Sequence, residues 1–153
     1  CTETTAMDLA KAAVDCIGCN HWEAPPVQSV LDMQPGQAIM RRETVFNKQE
    51  GNSCIEYYLQ IGLAADVERR AMLDLVDQLL YEPCYNILRT KQQLGYIVSS
   101  GTRLTHGVLG LCITIQSKTH SATSMEARID EFLTTHLQML RDMSDDEYGK
   151  NVN

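Results

Sequence analysis

No apolar run in this sequence approaches the roughly 20 residues needed to cross a bilayer as a helix. Basic charge is also in short supply. Thirteen Lys and Arg stand against 20 Asp and Glu, giving a formal net charge of -7. An acidic chain without a basic face is a poor partner for nucleic acid or an anionic membrane, so neither is expected. The N-terminus is polar and acidic, and no signal peptide is read there. Metal-site spacing is missing as well. The four histidines are His21, His106, His120 and His136, and none sits in H-E-x-x-H or the inverted H-x-x-E-H. No zinc or other metal is therefore expected on this chain. Cys16-Ile17-Gly18-Cys19 is a lone C-x-x-C. With His21 it offers three ligands where a structural zinc takes four, so two semi-buried helix thiols is the simpler reading. Its place at a helix end also weakens a redox role. No glycine-rich phosphate loop is present, because Gly107-Val108-Leu109-Gly110 lies in a hairpin with no helix after it.

What is present is a core. The chain has 153 residues, 44% of them apolar, enough for one domain or a piece of a larger one. Such a core needs no staples. The scattered Cys1, Cys16, Cys19, Cys54, Cys84 and Cys112 read as reduced thiols of an intracellular, cytoplasmic protein. Met7, Ala10, Val14 and Ile17 recur at helical spacing and predict a helix over 5–19. Residues 21–36 are a connector punctuated by Pro25-Pro26 and Pro35-Gly36. A strand is predicted over 38–46, a polar hairpin loop over 47–52 and a strand over 53–63. In the last, Ile55, Tyr57, Leu59 and Ile61 share one face, and Glu56, Tyr58 and Gln60 the other. Asp66 caps a helix whose buried stripe is Val67, Ala71, Leu75, Val76, Leu79 and Leu80. Pro83 is best placed at a first helical position, which predicts a break near Glu82 and a short second helix over 83–91. Strands follow over 96–103 and 108–117, joined by a turn at His106-Gly107. Leu109, Leu111, Ile113 and Ile115 face one way. Met125, Ile129, Phe132, Leu133, Leu137 and Leu140 then mark a long helix ending near Arg141.

This order predicts an α+β fold, an antiparallel sheet with helices packed on one face. Both ends look cut: the chain lacks an initiator Met, and Ser144-Asp145-Asp146-Glu147 opens a helix that stops within two turns. The expected organisation is a single partial domain over 1–153. It comprises an N-terminal helix and linker at 1–37, a core at 38–143 and the start of a truncated helix at 144–153. An unpaired sheet edge in such a piece invites self-association, so a homo-oligomer is one expected partner.

Tyr57 and Tyr58 could offer bases a stacking platform, but the acidic balance argues for paired β-formers with one ring buried. His136 reads as a packed or surface histidine and His106 as a turn residue. The remaining candidates are Arg89 and Tyr96, at a corner where a helix breaks at Gly95 and a strand begins. They have two readings. In the structural one, Arg89 pairs with a carboxylate near the helix C-terminus and Tyr96 is a boundary ring. In the functional one, a guanidinium that never deprotonates and a neutral phenol converge on an oxyanion. The first is the commoner outcome.

The stretch Glu82-Pro83-Cys84-Tyr85-Asn86-Ile87-Leu88-Arg89-Thr90-Lys91-Gln92-Gln93-Leu94-Gly95-Tyr96-Ile97-Val98 closely resembles the C-terminal half of insulysin-type peptidases, the insulin-degrading enzyme, nardilysin and pitrilysin group. The likeness extends over Asn52-Ser53-Cys54-Ile55-Glu56-Tyr57-Tyr58, Gly107 to Ser117 and Glu126-Ala127-Arg128-Ile129-Asp130-Glu131-Phe132-Leu133, and runs in order over residues 38–148. The resemblance implies one of four homologous α+β domains, of the mitochondrial-processing-peptidase-like type, in a clamshell zinc metalloendopeptidase. Zinc is bound by the N-terminal half of the same polypeptide. Arg89 and Tyr96 match the catalytic and substrate-binding Arg and Tyr contributed by the other half. The implied partners are that zinc-bearing half and peptide substrates, and the piece alone is expected to be inactive. The family also holds zinc-less relatives that act as scaffolds, which gives a second reading of the chain as a pseudo-peptidase making protein contacts only.

Overall fold

Alternating side chains over residues 53–63 and 108–117 dictate strands with one face to be covered, and that sheet organises the molecule. A computed structural model of the chain describes residues 2–18 and 28–152. Along the sequence it contains helix α1 (Glu3–Ile17), strand β1 (Ser53–Leu63) and helix α2 (Val67–Cys84). A π-helix (Tyr85–Lys91) continues α2 directly. Strands β2 (Ile97–Thr105) and β3 (Val108–Ser117) and helices α3 (Ala122–Arg141) and α4 (Asp145–Val152) follow. The strands form an antiparallel sheet in the order β1-β3-β2. The α+β class with helices on one face is as expected.

β3 is central, and its core-facing residues Leu109, Leu111, Ile113 and Ile115 are all buried. Ile55, Tyr57 and Leu59 of β1 pack beside them, and α3 supplies Met125, Ile129, Phe132 and Leu133. Each such aliphatic side chain contributes about 1.5–3 kcal/mol by leaving water. His106 and Gly107 both take positive φ, 46° and 79°, the geometry of a tight two-residue hairpin turn. The opposite sheet face is polar. There Arg103 pairs with Glu56, and its guanidinium carbon lies 5.6 Å from the centre of the Tyr58 ring.

Local signals at the helix ends are met. Thr2 Oγ1 accepts from the Thr5 N–H at 3.3 Å, and Gly18 (φ 61°) closes α1. Asp66 caps α2 by accepting from the Arg69 N–H at 3.0 Å, and Ser121 caps α3. At α4 the Glu147 N–H donates to Ser144 Oγ while the Ser144 N–H donates to Glu147 Oε2, the reciprocal capping box.

Three expectations are corrected. Residues 38–45 have no regular structure and are exposed throughout, so the strand over 38–46 is not formed. The adjacent Arg41, Arg42, Glu43 and Thr44 interrupt the alternation, leaving neither face apolar enough to settle on the sheet. Second, no break occurs at Glu82. α2 runs through Pro83, and the helix widens after it instead of stopping. Third, the buried face of α2 is led by Leu73, Leu80 and Cys84, while Val67 is 76% exposed. α1 forms where its periodicity places it, within two residues at each end, but none of its residues is buried. Cys1, Cys19, His21 and Pro25-Pro26 lie outside the described residues, so the Cys16/Cys19 pair and the end of the first helix at Cys19 do too.

Candidate functional site

The site begins with the widened helix. Pro83 has no N–H to give to the turn before it. Two residues on, the Tyr85 N–H is shared between the Glu82 and Tyr81 carbonyls. The chain then leaves the α pattern. The Gln92 N–H reaches back five residues to the Ile87 carbonyl at 2.9 Å, and the Leu94 N–H reaches six back to Leu88 at 3.0 Å. Wide turns of this kind are rare and collect at functional positions. Leu80, Cys84 and Leu88 are 2%, 1% and 0% exposed, one buried stripe that runs from α2 into the wide turns.

The corner closes on β3. Gln93 takes φ 52°, a left-handed turn that needs no glycine here. Gly95 is needed for a different reason: a Cβ on it would lie 2.2 Å from the Gln116 carbonyl oxygen and 2.9 Å from its carbon. The next residue fixes the contact, as the Tyr96 N–H donates to that same oxygen at 3.1 Å. Leu94, 2% exposed, pins the inner side of the turn. Arg89 thus sits near the end of the π-helix and Tyr96 one residue ahead of β2, on adjoining walls of one corner.

Arg89 is half-buried and Tyr96 is 52% exposed. The ion pairs among the described residues are Arg41–Glu43, Arg69–Asp66, Arg103–Glu56 and Arg128–Glu131, and Arg89 is in none of them. The guanidinium and the Tyr96 hydroxyl have no hydrogen-bond partner among the described residues, and none joins them to each other. The carboxylate that the structural reading gave Arg89 is absent there. The five N–H groups of the guanidinium and the phenol are left without partners among the described residues.

Other candidates resolve as packing. The Tyr57 hydroxyl donates to Asp130 Oδ1 at 2.7 Å, and its pKa is pushed up to about 12, first by burial and then by that carboxylate. The Tyr58 ring lies across Gly110 on the opposite face, where a Cβ would come within 2.1 Å of it. His136 Nδ1 donates to the Phe132 carbonyl at 2.9 Å and stacks on the Phe132 ring, so it is a packed histidine. His106 is the turn residue expected. His120 accepts or donates through Nδ1 to Thr119 Oγ1 at 3.0 Å. One feature escaped the sequence reading: a groove of about 480 Å³ lined by Tyr81, Glu82, Tyr85, Asn86 and Thr90, on the helix that carries Arg89. Its signal is two exposed tyrosines four residues apart, 62% and 53% accessible.

Among the described residues, no cluster of three or more His, Cys, Asp or Glu side chains could hold a metal ion. No helix there is long and apolar enough to cross a membrane.

A family model for the PQQ synthase PqqF-like C-terminal lobe domain 4 matches residues 75–153. The insulin-degrading enzyme of Drosophila melanogaster is 44% identical over 113 residues, covering 74% of this chain and 11% of that protein. A nardilysin-like protein of Arabidopsis thaliana is 38% identical over 132 residues, 85% of this chain and 12% of that protein. The crystal structure of pitrilysin superposes with a TM-score of 0.55 at 24% identity over 66% of this chain and 11% of its own, a likeness of fold. The chain thus spans about a tenth of the length of the curated relatives it matches. It belongs to the PqqF-like C-terminal lobe family, the C-terminal-half domains of insulysin-type peptidases.

Proposed function

We propose that this chain is the substrate-binding, non-zinc-binding domain of a metalloendopeptidase resembling the insulin-degrading enzyme. The observation that supports the reading is that Arg89 and Tyr96, without side-chain partners among the described residues, flank a turn fixed by the close approach of Gly95 to β3. When a peptide bond is hydrolysed, negative charge develops on the scissile carbonyl oxygen. Arg89 offers a planar fork that stays charged at any working pH, and Tyr96 a neutral donor. Both would donate to that oxygen or to the neighbouring substrate backbone. Preorganised donors of this kind cost no reorganisation as the charge appears, and losing one lowers the rate about 10²–10³-fold.

The residues described do not fit a metal, so zinc would belong to another part of the polypeptide, and no step on this chain runs through it. The partner is then the zinc-bearing N-terminal half, closing over the corner with peptide between. The domain by itself would be inactive. Cys16, Cys54, Cys84 and Cys112 are free thiols, which supports a reducing compartment such as the cytoplasm.

The test places Arg89→Ala and Tyr96→Phe separately in the intact polypeptide. Isolated insulin B chain serves as the test peptide because relatives are named for degrading insulin. Turnover should fall about 10²–10³-fold with bound zinc unchanged. Unaltered kcat and KM in both variants would remove the proposed role. An intact polypeptide that binds neither zinc nor peptide would favour the scaffold reading.

A further inference from the structure

β2 lies at one edge of the sheet, and the hairpin fixes which of its backbone groups face away from β3. The two-residue turn His106-Gly107 joins Thr105 to Val108, which makes them a hydrogen-bonded pair. Counting back by twos, Arg103, Gly101, Ser99 and Ile97 exchange bonds with Gly110, Cys112, Thr114 and Gln116. The N–H and C=O groups of Leu104, Thr102, Ser100 and Val98 then point outward. The Thr102 backbone lies beside the Asp77 carboxyl on α2, where it partly offsets the burial that pushes that carboxyl's pKa up, a placement that fits an outward-facing Thr102.

The Asp77 side chain thus stands beside the edge at Thr102. Before it, among the described residues, nothing meets the outward backbone groups of Val98 and Ser100. The other edge is defended. β1 has a bulge between Gln60 and Gly62, and Arg69 Nη1 donates to the Ile61 carbonyl at 3.3 Å. Bulges, prolines and lysines are how edges resist added strands. β2 carries none of these across Ile97–Thr105. Its open portion also starts at Tyr96, beside the donors already described.

We infer that the outer edge of β2, from Tyr96 to Ser100, takes the main chain of an extended peptide as an added strand. The inference rests on the reading of Arg89 and Tyr96 as substrate-binding groups and states how the peptide is held. Val98 and Ser100 each present one donor and one acceptor, so the pairing is short and indifferent to side-chain sequence. Asp77, standing beside Thr102, bounds the open portion at its far end. Such pairing binds substrate and transition state alike, and so acts on KM, whereas Arg89 and Tyr96 act on kcat.

The experiment is residue-resolved hydrogen exchange on the intact polypeptide, with and without insulin B chain, a chelator present to stop turnover. Exchange at the Val98 and Ser100 amides should slow about tenfold or more on peptide addition, while Ile97 and Ser99, already bonded to β3, stay unchanged. Equal exchange with and without a saturating peptide overturns the inference. So does protection of Val98 and Ser100 before peptide is added, which would mean that another strand of the polypeptide occupies the edge. Ser100→Pro removes one outward N–H and no ladder bond. It should raise KM about five- to tenfold with kcat within about twofold. The two readings fail separately: normal turnover in Arg89→Ala and Tyr96→Phe leaves protection at Val98 and Ser100 intact.

Discussion

Replacing Gly95 by Ala adds one carbon, and the structure says where it goes. It would stand 2.2 Å from the Gln116 carbonyl oxygen, 2.9 Å from its carbon and 3.1 Å from Ile115 Cγ2. Carbon–oxygen contacts of this type settle near 3.3 Å, so the backbones must separate by about 1 Å. Neither side yields easily. Gln116 is in the central strand, with β1 on one side and its bonds to β2 on the other, and Leu94 is anchored in the core. Overpacking of this order costs about 1–3 kcal/mol, and loss of the Tyr96 N–H to Gln116 O bond about 1 more. The expected destabilisation is roughly 2–4 kcal/mol, read from urea unfolding of the intact polypeptide. Tyr96 rides on the displaced segment. A shift of about 1 Å at a catalytic group can cost about 10²-fold in rate, so kcat on insulin B chain should fall even where the variant is fully folded. Wild-type stability in Gly95→Ala would refute the close approach. Lost stability with unchanged kcat in the folded fraction would refute the claim that this contact aims Tyr96.

Tyr57→Phe should destabilise by about 1 kcal/mol at pH 7, since Asp130 is exposed and can hydrate. Because the folded pKa of Tyr57 is raised from 10.0 to about 12, its contribution is complete below pH 10 and disappears as pH rises through 12. Unfolding curves of the two proteins should therefore converge over that interval, and a constant offset would refute the assignment. Burial pushes the Asp77 carboxyl up from its usual 3.8, only partly opposed by the Thr102 N–H, with Asp74 adding to the rise. A folded pKa above the unfolded one means stability present below 3.8 and lost as pH rises through the folded value. Asp77→Asn keeps the acceptor without the charge, so Tm should rise at pH 7 and the gain should vanish toward pH 3.8. A lower Tm at pH 7 would show that the charge is needed.

How much of the fold was legible follows from how each segment is stabilised. β3 could be read residue by residue because it is central: every second side chain is buried, and sequence alternation records that. The caps at Asp66 and Ser144 could be read because they are local chemistry. Segment 38–46 was over-read. Ile39, Met40, Val45 and Phe46 have strand propensity, but a strand exists only against a partner, and that is not a local property. Pro83 was read by the rule for isolated α-helices. Leu80, Cys84 and Leu88, spaced by four on one helical face, carried the contrary signal that a helix held down by its buried stripe continues past Pro83.

The site was legible in a different sense. No periodicity marks Arg89 or Tyr96, and by residue type alone a surface ion pair was the commoner fate of such an arginine. Among the described residues Arg41, Arg69, Arg103 and Arg128 each find a carboxylate, whereas Arg42, Arg70, Arg89 and Arg141 do not. What sets Arg89 apart is its place beside the turn at Gly95 that leads into Tyr96. Glycine at 95 brings Tyr96 hard against β3 instead of letting it drift into solvent, and its phenol, too, is left without a partner. The same accounting applied to backbone groups isolates Val98 and Ser100, two residues further along the same strand. Side-chain donors and main-chain donors left over at one end of one strand are what an extended peptide can use.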